Sequence, residues 1–217
     1  MKPNKNTNIS RIEFEKSGQF LETDILANPF DQFAKWWQEA AMAHVYLIDA
    51  VTLATVDEKN HPDIRVVLLK DFNDQGMIFF TNYQSKKAHH LDHNPYAAMN
   101  IFWPSLERQI RIRGKVSKTS RAESESYFTS RPRGAQIGAW VSPQSQVIEN
   151  RLMLEKNYET LINTTAGKDI DCPAHWGGFR LIPDYFEFWQ GQKNRLHDRI
   201  CFISKDPNQW QHQRLAP

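Results

Sequence analysis

Residues 50–82, AVTLATVDEKNHPDIRVVLLKDFNDQGMIFFTN, decide the fold class of this 217-residue chain. The stretch contains three runs of apolar and β-branched residues, the types that strands favour, at 50–56, 64–71 and 77–81. Two short polar segments with the composition of turns, 57–60 and 73–76, separate these runs. The stretch therefore predicts three antiparallel strands joined as a meander.

The flanking sequence continues this pattern and contains more strands than helices. Further strands are predicted at 97–103, 109–118, 178–182, 185–189, 195–204 and 210–214. Helices are predicted from the Asn28 cap to His44, from Ser85 to Leu91, from the Ser120 capping box to Pro132, and over 149–163. This balance predicts a mainly β protein with flanking helices (α+β), folded as a closed or half-closed antiparallel barrel. We expect a single domain over 21–217, preceded by a mobile N-terminal segment over 1–20.

Charge and cysteine content weigh against several functional classes. The formal net charge is only +2, which gives no support to nucleic-acid binding. Gln109, Arg111 and Arg113 share one strand face, which cross-strand ion pairs explain better than nucleic acid. Cys172 and Cys201 have the spacing of neither a metal site nor a disulfide framework. With no secretory signal and no apolar run near the ~20 residues of a membrane span, we expect a cytoplasmic protein.

Basic residues near the meander form two candidate anion sites. Lys86 and Lys87 begin a predicted helix soon after Thr81, and free backbone N–H groups beside cations suit a phosphate. Arg65 and Lys70 lie on one predicted strand, but residues five apart point to opposite faces of a regular strand. Each pair also has a simpler explanation, as a capped surface helix with solvated lysines or as a core strand with charged ends.

A third candidate site lies around the predicted helix that Pro132 ends. Tyr127 and Arg131 are four residues apart, so a phenol and a guanidinium can converge on one helix face to hold a phosphate. The alternative is a helix end with ordinary cationic side chains. The following segment 136–145, QIGAWVSPQS, predicts a shaped loop between two helices.

The segment from Trp189 to Arg199, WQGQKNRLHDR, is the most informative for function. Its end predicts a strand with Arg195, His197 and Arg199 on one face and Leu196 on the other. Two guanidiniums around an imidazole suit an anionic, electron-rich ligand. The neighbouring positive charges should lower the pKa of His197 and keep it neutral near pH 7. A lone strand histidine is more often structural, which is the competing interpretation.

Together these segments resemble the pyridoxamine 5′-phosphate oxidase family, the FMN-dependent enzymes of vitamin B6 metabolism. The matching motifs are RVVLLK (65–70), FFTN (79–82), SKKAH (85–89), LERQIRIRGK (106–115), YFTSRPR (127–133), QIGAWVSPQS (136–145), WGGFR (176–180), FWQG (188–191), RLHDR (195–199) and RLAP (214–217). The similarity runs from about Arg11 to the last residue. It implies an antiparallel split β-barrel that assembles as a homodimer, with FMN in clefts between the subunits.

The resemblance also implies which residues form the site. The implied FMN-binding residues are Arg65, Val66, Val67, Leu68, Leu69, Lys70, Phe80, Thr81, Lys86, Lys87, Gln109, Gln144, Ser145, Trp189 and Arg199. The implied substrate-binding residues are Lys70, Tyr127, Arg131, Arg195, Leu196 and His197. Of these, Arg195 and His197 are the catalytic candidates, because they would orient the reacting group over the flavin. No metal is implied.

The implied reaction converts pyridoxamine or pyridoxine 5′-phosphate to pyridoxal 5′-phosphate. We hypothesise hydride transfer from C4′ of the substrate to FMN, followed by reoxidation by O2 to give H2O2, with ammonia released from the amine. Ala135, Phe80, Lys86 and Phe14 stand where the family commonly has serine, tyrosine, arginine and tyrosine, which we expect to affect affinity rather than reaction type. The alternative is a flavin- or haem-binding split-barrel protein without this activity.

Overall fold

The computed structural model describes residues 13–14, 18–206 and 209–217. Its helices are α1 (Pro29–Met42), α2 (Lys86–His93), α3 (Arg121–Ser130), α4 (Arg133–Val141) and α5 (Arg151–Thr164). Its strands are β1 (Ala50–Val56), β2 (Pro62–Asn73), β3 (Gly76–Asn82), β4 (Tyr96–Trp103), β5 (Arg108–Lys118), β6 (Trp176–Gln190), β7 (Asp198–Asp206) and β8 (Gln209–Leu215).

Strands β1 to β6 form a closed antiparallel barrel. Their order is β3-β2-β1-β4-β5-β6, and an additional pairing of β3 with β6 closes the ring. Strands β7 and β8 continue the sheet from β6 outside the ring. The predicted meander β1-β2-β3 forms half of the barrel, and the predicted split β-barrel with flanking helices is confirmed.

Strand alternation determines which side chains fill the barrel. Val51 and Leu53 on β1, and Ile110 and Ile112 on β5, are buried because every second strand residue points inward. Helix α1 begins at the predicted Asn28 cap, whose side chain accepts a hydrogen bond from the backbone N–H of Phe30. Its buried face, which includes Phe33, Trp36 and Ala40, joins the same core.

Arg111 and Arg113 lie together on the outer face of β5, as strand alternation predicts. Arg111 Nη1 lies 2.9 Å from a carboxylate oxygen of Glu187, and Arg113 Nε lies 3.3 Å from one of Asp184. Both acidic residues belong to the neighbouring strand β6, so the predicted cross-strand ion pairs are confirmed.

Two predicted elements are wrong in their extent. The segment 136–145 is not a loop throughout, because it begins within α4. Pro132 ends α3 as predicted but also stands at the N-cap of α4, where its missing N–H removes no helix bond. The predicted strands 178–182 and 185–189 are one continuous strand, β6. A register shift between Arg113 and Gly114 on β5 lies opposite Pro183 and adapts the pairing to this proline.

The described residues of the N-terminal segment contact the end of the sheet. The backbone N–H of Phe20 donates to Asp198, and the carbonyl of Gly18 accepts from the side chain of Gln192. Residues 1–12 and 15–17 of the segment predicted to be mobile lie outside the described residues. No helix in the described part of the chain is long and apolar enough to cross a membrane.

Candidate active site

The first group of predicted site residues, which we call the lysine cluster, consists of Arg65, Thr81, Lys86, Lys87 and Gln144. Thr81 lies near the end of β3, and the turn after it places Lys86 and Lys87 in the first turn of α2. Lys87 Nζ lies 3.1 Å from Thr81 Oγ1 and 3.0 Å from Gln144 Oε1. Thr81 Oγ1 also donates to Gln144 Oε1 at 2.9 Å, so residues 63 positions apart in sequence converge here.

The charge of the lysine cluster is only partly neutralised. Asp63 pairs with Arg65 at 2.7 Å and with Lys86 at 3.6 Å. Burial, with a further contribution from Arg65, lowers the pKa of Lys87 to about 8. A half-buried cation with this donor set, beside two further cations, has the chemistry of a phosphate site.

The side chains of Arg65 and Lys70 point in different directions, as their spacing on the strand predicts. Arg65 turns towards the barrel interior and the lysine cluster, where its Nη1 donates to the Leu53 carbonyl. Lys70 stands at a β-bulge, because the pairing of β2 with β3 shifts between Leu69 and Asp71. Its ammonium forms an ion pair of 2.6 Å with Asp49 on the opposite side of the strand.

The second group of predicted site residues is a stack of aromatic rings beside a cavity, and we call the stack and the cavity together the aromatic cavity. The rings of Phe80 and Tyr127 are stacked at 4.0 Å, and Trp176 lies nearly parallel to Phe80 at 5.5 Å. The guanidinium of Arg131 covers Trp176 at 4.6 Å from the ring centroid. A cavity of about 480 Å³ lies beside the stack and is lined by Lys70, Phe80, Tyr127, Ser126 and Ser130, among others.

Arg131 follows the last residue of α3 as an extended C-cap, so it does not share a helix face with Tyr127 as predicted, and its guanidinium lies over Trp176 instead. Its Nη1 is buried and has no hydrogen-bond partner in the described part of the chain. Burial also lowers the pKa of this guanidinium. An unsatisfied buried donor is costly, so a ligand acceptor at this position would stabilise the arrangement.

The third group, which we call the histidine face, consists of Trp189, Arg195, His197 and Arg199. The predicted strand over 195–204 is wrong at its start, because β7 begins at Asp198. Lys193–Arg195 forms a short 3₁₀ turn, with Asn194 and Arg195 at φ values of 55° and 61°. The loop between β6 and β7 must reverse the chain, and these left-handed residues do so. Arg195, His197 and Arg199 therefore do not alternate along one strand.

His197 packs against Trp189 instead of projecting from a strand. The two ring centroids lie 4.6 Å apart, and His197 Nδ1 accepts the backbone N–H of Gln192 at 3.0 Å. The lone pair of Nδ1 is thereby used, which leaves the proton of a neutral ring on Nε2. The pKa of His197 is lowered as predicted, but burial is the larger cause and Arg195 the smaller one.

Phe14 covers the histidine face. Its ring makes edge contacts with Trp189 and His197 at centroid distances of 5.3 and 5.6 Å. Gly191 permits this approach, because a Cβ at that position would lie 2.8 Å from the Phe14 ring.

Arg199 is held by a buried carboxylate. Its Nε donates to Glu187 at 2.9 Å, and its Nη1 donates to the carbonyl of Ala216. Glu187 is only 3% exposed and also accepts from Arg111 and from the hydroxyl of Tyr185. Burial, together with the hydrogen bond to Glu187, raises the pKa of Tyr185.

The remaining predicted site residues lie on β2, in the loop after α4 and beside the histidine face. On β2, Val66 and Leu68 point outward with 64% and 42% exposure, whereas Val67 and Leu69 point inward. Ser145 follows Gln144 in the loop after α4 with a φ of 70°. Leu196 is exposed beside His197, and Gln109 pairs with Trp189 across β5 and β6.

The histidine face lies far from the other two groups along β6. Phe80 pairs with Gly178 near the start of β6, whereas Gln109 and Arg199 pair with Trp189 near its end. Gly178 and Trp189 are eleven residues apart, which corresponds to roughly 35 Å along a strand. Within a single chain, therefore, the lysine cluster and the aromatic cavity are close together, and the histidine face is distant from both.

Sequence reasoning missed several residues that hold these groups in place. Asp49 pairs with Lys70, Glu187 with Arg199, and Thr55 with Arg65. A signal was present for Thr55, a polar residue in phase with the buried Val51 and Leu53. No local pattern marked Glu187, because its charged partners Arg111 and Arg199 come from other strands.

Comparison with known proteins identifies the family. The family model described as "Pyridoxamine 5'-phosphate oxidase" matches residues 38–164, and "Pyridoxine 5'-phosphate oxidase C-terminal dimerisation region" matches residues 176–217. A pyridoxine/pyridoxamine 5′-phosphate oxidase of Rippkaea orientalis is 46% identical over 207 residues, which cover 95% of this chain and 97% of the relative. The protein of that name from Paraburkholderia phytofirmans is 48% identical over 201 residues, which cover 92% and 94%.

Solved structures agree on the architecture. PhzG from Burkholderia lata 383, solved with tetrahydrophenazine-1-carboxylic acid, matches with a TM-score of 0.87 and 25% identity, covering 94% of this chain and 100% of PhzG. A pyridoxamine 5′-phosphate oxidase-related, FMN-binding protein from Nostoc punctiforme shares the fold, with a TM-score of 0.70 at 16% identity, covering 88% and 98%. By these matches over nearly its whole length, the chain belongs to the pyridoxamine 5′-phosphate oxidase family of oxidoreductases.

Proposed function

We propose that this enzyme uses FMN to oxidise pyridoxamine or pyridoxine 5′-phosphate to pyridoxal 5′-phosphate. O2 is the electron acceptor and gives H2O2, and the amine substrate also releases ammonia. The observation that carries the proposal is the presence of two neighbouring but separate cationic sites. The lysine cluster and the aromatic cavity each suit one phosphate, and FMN and the substrate each bring one.

The lysine cluster has the donors that the FMN phosphate requires. Lys87 and Lys86 supply charge, the Thr81 hydroxyl supplies a hydrogen bond, and Gln144 approaches from the loop after α4. Binding a dianion would repay the unfavourable burial of the Lys87 ammonium. When bound, FMN would supply the two-electron acceptor for the reaction.

The aromatic cavity suits the phosphorylated substrate. Lys70 and Tyr127 line it, and Arg131, whose Nη1 has no partner among the described residues, lies over Trp176 in the adjoining aromatic stack. The volume of about 480 Å³ lies within the range of small-molecule sites. Because Ala135 offers no hydroxyl, Ser130 or Ser126 would be the nearest source of a further neutral hydrogen bond.

The site is completed by a second copy of the chain. The dimerisation region matched at residues 176–217 supports a homodimer. The outer face of β2 exposes Ile64, Val66 and Leu68 at 66%, 64% and 42%, an apolar surface that a partner would cover. In this proposal the partner brings Gln109, Trp189 and Arg199 to the FMN held by the first chain. The separation of roughly 35 Å along β6 is then spanned by dimerisation rather than by folding.

Arg195 and His197 would act on the substrate by orientation. The Nε2–H of neutral His197 is a donor fixed in direction by the Gln192 hydrogen bond and the Trp189 contact. Arg195 lies on the exposed loop beside it, together with Leu196. Holding the C4′ group over the flavin is a positional contribution to the rate.

The proposal is tested by spectroscopy on the purified full-length chain. We expect the absorbance bands of oxidised flavin, with FMN released on denaturation. Under anaerobic conditions, pyridoxine 5′-phosphate should bleach these bands, and O2 should restore them with one H2O2 per pyridoxal 5′-phosphate. Pyridoxine without the phosphate is the matched control and should bleach the flavin far more slowly.

Two outcomes would overturn the proposal in different ways. A chain that binds no FMN would remove the cofactor assignment. A flavin that stays oxidised with both phosphorylated substrates would favour the alternative, a flavin- or haem-binding protein without this oxidase activity.

A further inference from the structure

Thr55 is a polar residue at an inward-facing position of β1, where the preceding inward-facing residues are apolar. It follows Val51 and Leu53 on the inward face of β1 and is only 1% exposed. Its Oγ1 lies 2.7 Å from Arg65 Nη1 and 2.9 Å from His90 Nδ1. His90 lies on α2 and is itself buried, with 6% exposure. These three side chains form a continuous hydrogen-bonded chain from α2 through β1 to β2.

Chemistry fixes the direction of the Arg65 bond, and the direction of the His90 bond depends on the imidazole tautomer. A guanidinium can only donate, so Thr55 Oγ1 accepts from Arg65. The hydroxyl proton of Thr55 is then free to donate to His90 Nδ1. An accepting Nδ1 puts the imidazole proton on Nε2 and leaves the ring neutral.

The charges around His90 favour this neutral form. Burial is the largest cause of its lowered pKa, and the cations Arg65 and Lys86 act in the same direction. The carboxylates of Asp63 and Asp57 act in the opposite direction but do not outweigh them.

We propose that His90 is a positioning residue that acts through Thr55 to hold Arg65 in the lysine cluster. Arg65 is otherwise held by the Leu53 carbonyl and Asp63, and the hydroxyl of Thr55 fixes it from the interior. This inference rests on the proposed function, because its consequence is the affinity for FMN.

Protonation of His90 would break this arrangement. Nδ1 would become a donor, so Thr55 Oγ1 would face two donors while its own buried proton lost its acceptor. The imidazolium would also repel Arg65 and Lys86. Acid should therefore weaken FMN binding through His90 as well as through the FMN phosphate.

Two variants of Thr55 test the hydrogen bonds. Thr55→Val keeps the volume and removes both bonds, whereas Thr55→Ser keeps the hydroxyl. With the full-length chain freed of flavin and titrated with FMN by fluorescence, we expect Kd to rise about 10- to 30-fold for the valine variant. The serine variant should stay within about threefold of wild type. A folded Thr55→Val protein, shown by circular dichroism, with wild-type Kd would overturn the proposal.

A pH profile separates positioning from a merely structural role. His90→Asn places an amide oxygen at the position of Nδ1 and cannot be protonated in the same range. Its affinity near pH 7.5 should match wild type within about threefold, but it should lose less affinity between pH 7.5 and 5. The FMN phosphate titrates in both proteins, so the difference between the two profiles reports His90 alone.

Superimposable profiles would refute the role of His90. Failure of the FMN assignment on which this inference rests looks different, because the wild-type chain would then bind no FMN at any pH.

Discussion

The lysine cluster and the histidine face are both cationic, yet they are built in opposite ways. Most of the lysine cluster comes from residues 65–87, on adjacent strands and the helix that follows them. The histidine face depends on distant parts of the chain, including Phe14 and the carbonyl of Ala216. A site made from neighbouring elements forms when its part of the barrel folds. A site held by the chain ends forms only when the whole sheet is complete.

The two regions also differ in how their charges are satisfied. Arg199 is matched by a buried carboxylate, Glu187, whereas Lys87 has only neutral hydrogen-bond partners and Arg131 Nη1 has none among the described residues. A cation without a carboxylate partner can bind an anionic ligand, whereas the charge of Arg199 is already balanced by Glu187. The lysine cluster and aromatic cavity should therefore control binding, and the histidine face should control turnover.

The largest expected effect is on turnover. Arg195→Leu should lower kcat about 100-fold while the bound FMN stays near one per chain, because a misplaced substrate reacts slowly. Steady-state kinetics and the flavin absorbance of the same sample measure both quantities. Equal losses of flavin and of activity would contradict the division between the two regions.

Lys87→Ala should weaken FMN binding about 30-fold, because a charge-assisted hydrogen bond contributes about 2 kcal/mol. Lys86→Ala is the matched control. Lys86 is 65% exposed and shares Asp63 with Arg65, so its loss should cost only about threefold. Equal effects measured by fluorescence titration would mean that burial does not distinguish the two lysines.

Glu187→Gln should lower the free energy of unfolding by about 2 kcal/mol, because Arg111 and Arg199 lose a buried counter-charge. Asp184→Asn removes a carboxylate whose pair with Arg113 is exposed on both sides and should cost less than about 0.5 kcal/mol. Urea unfolding monitored by circular dichroism compares them. Similar midpoints for the two variants would show that Glu187 contributes no more than a surface pair.

The lowered pKa of Lys87 predicts an alkaline limit on FMN affinity. Only the ammonium form binds phosphate well, so affinity should begin to fall above about pH 8, by up to tenfold per pH unit. The fall should level off at the higher pKa that the lysine has in the complex. In the same titration, Lys87→Met should show no fall in FMN affinity above pH 8. A fall that persists in this variant would come from another titrating group.

Without ligand, the same pKa predicts the opposite trend for stability. Above pH 8 the unfolded chain, with a lysine pKa near 10.5, binds more protons than the folded one. The contribution of Lys87 to stability should therefore rise with pH between these two values.

The smallest expected effect concerns the cover over the histidine face. Phe14→Ala removes the ring contacts with Trp189 and His197 and should raise KM about threefold, as expected for one lost edge contact. Leu21→Ala is a control, because Leu21 is 44% exposed. Steady-state kinetics with an unchanged KM for Phe14→Ala would show that the cover does not contribute to substrate binding.

Local sequence patterns determined the strands of the barrel and most of the basic residues of the lysine cluster. Runs of apolar and β-branched residues separated by polar turns marked the meander over 50–82, and helix signals placed Lys86 and Lys87 at a helix start. These features depend on residues close in sequence, whose periodicity and capping chemistry act before any tertiary contact. The same locality let Arg65 and Lys70 be assigned to opposite faces of β2.

Tertiary structure alone decided the histidine face and the supporting residues. The left-handed turn at Asn194 and Arg195 arises because β6 and β7 must pair as a hairpin, which overrides the alternation predicted from Arg195 to Arg199. Thr55 and Glu187 gain their roles from partners on other elements. Sequence fixes which face a side chain occupies, but only the closed sheet fixes what it meets there, because those partners are set by strand pairing over long separations.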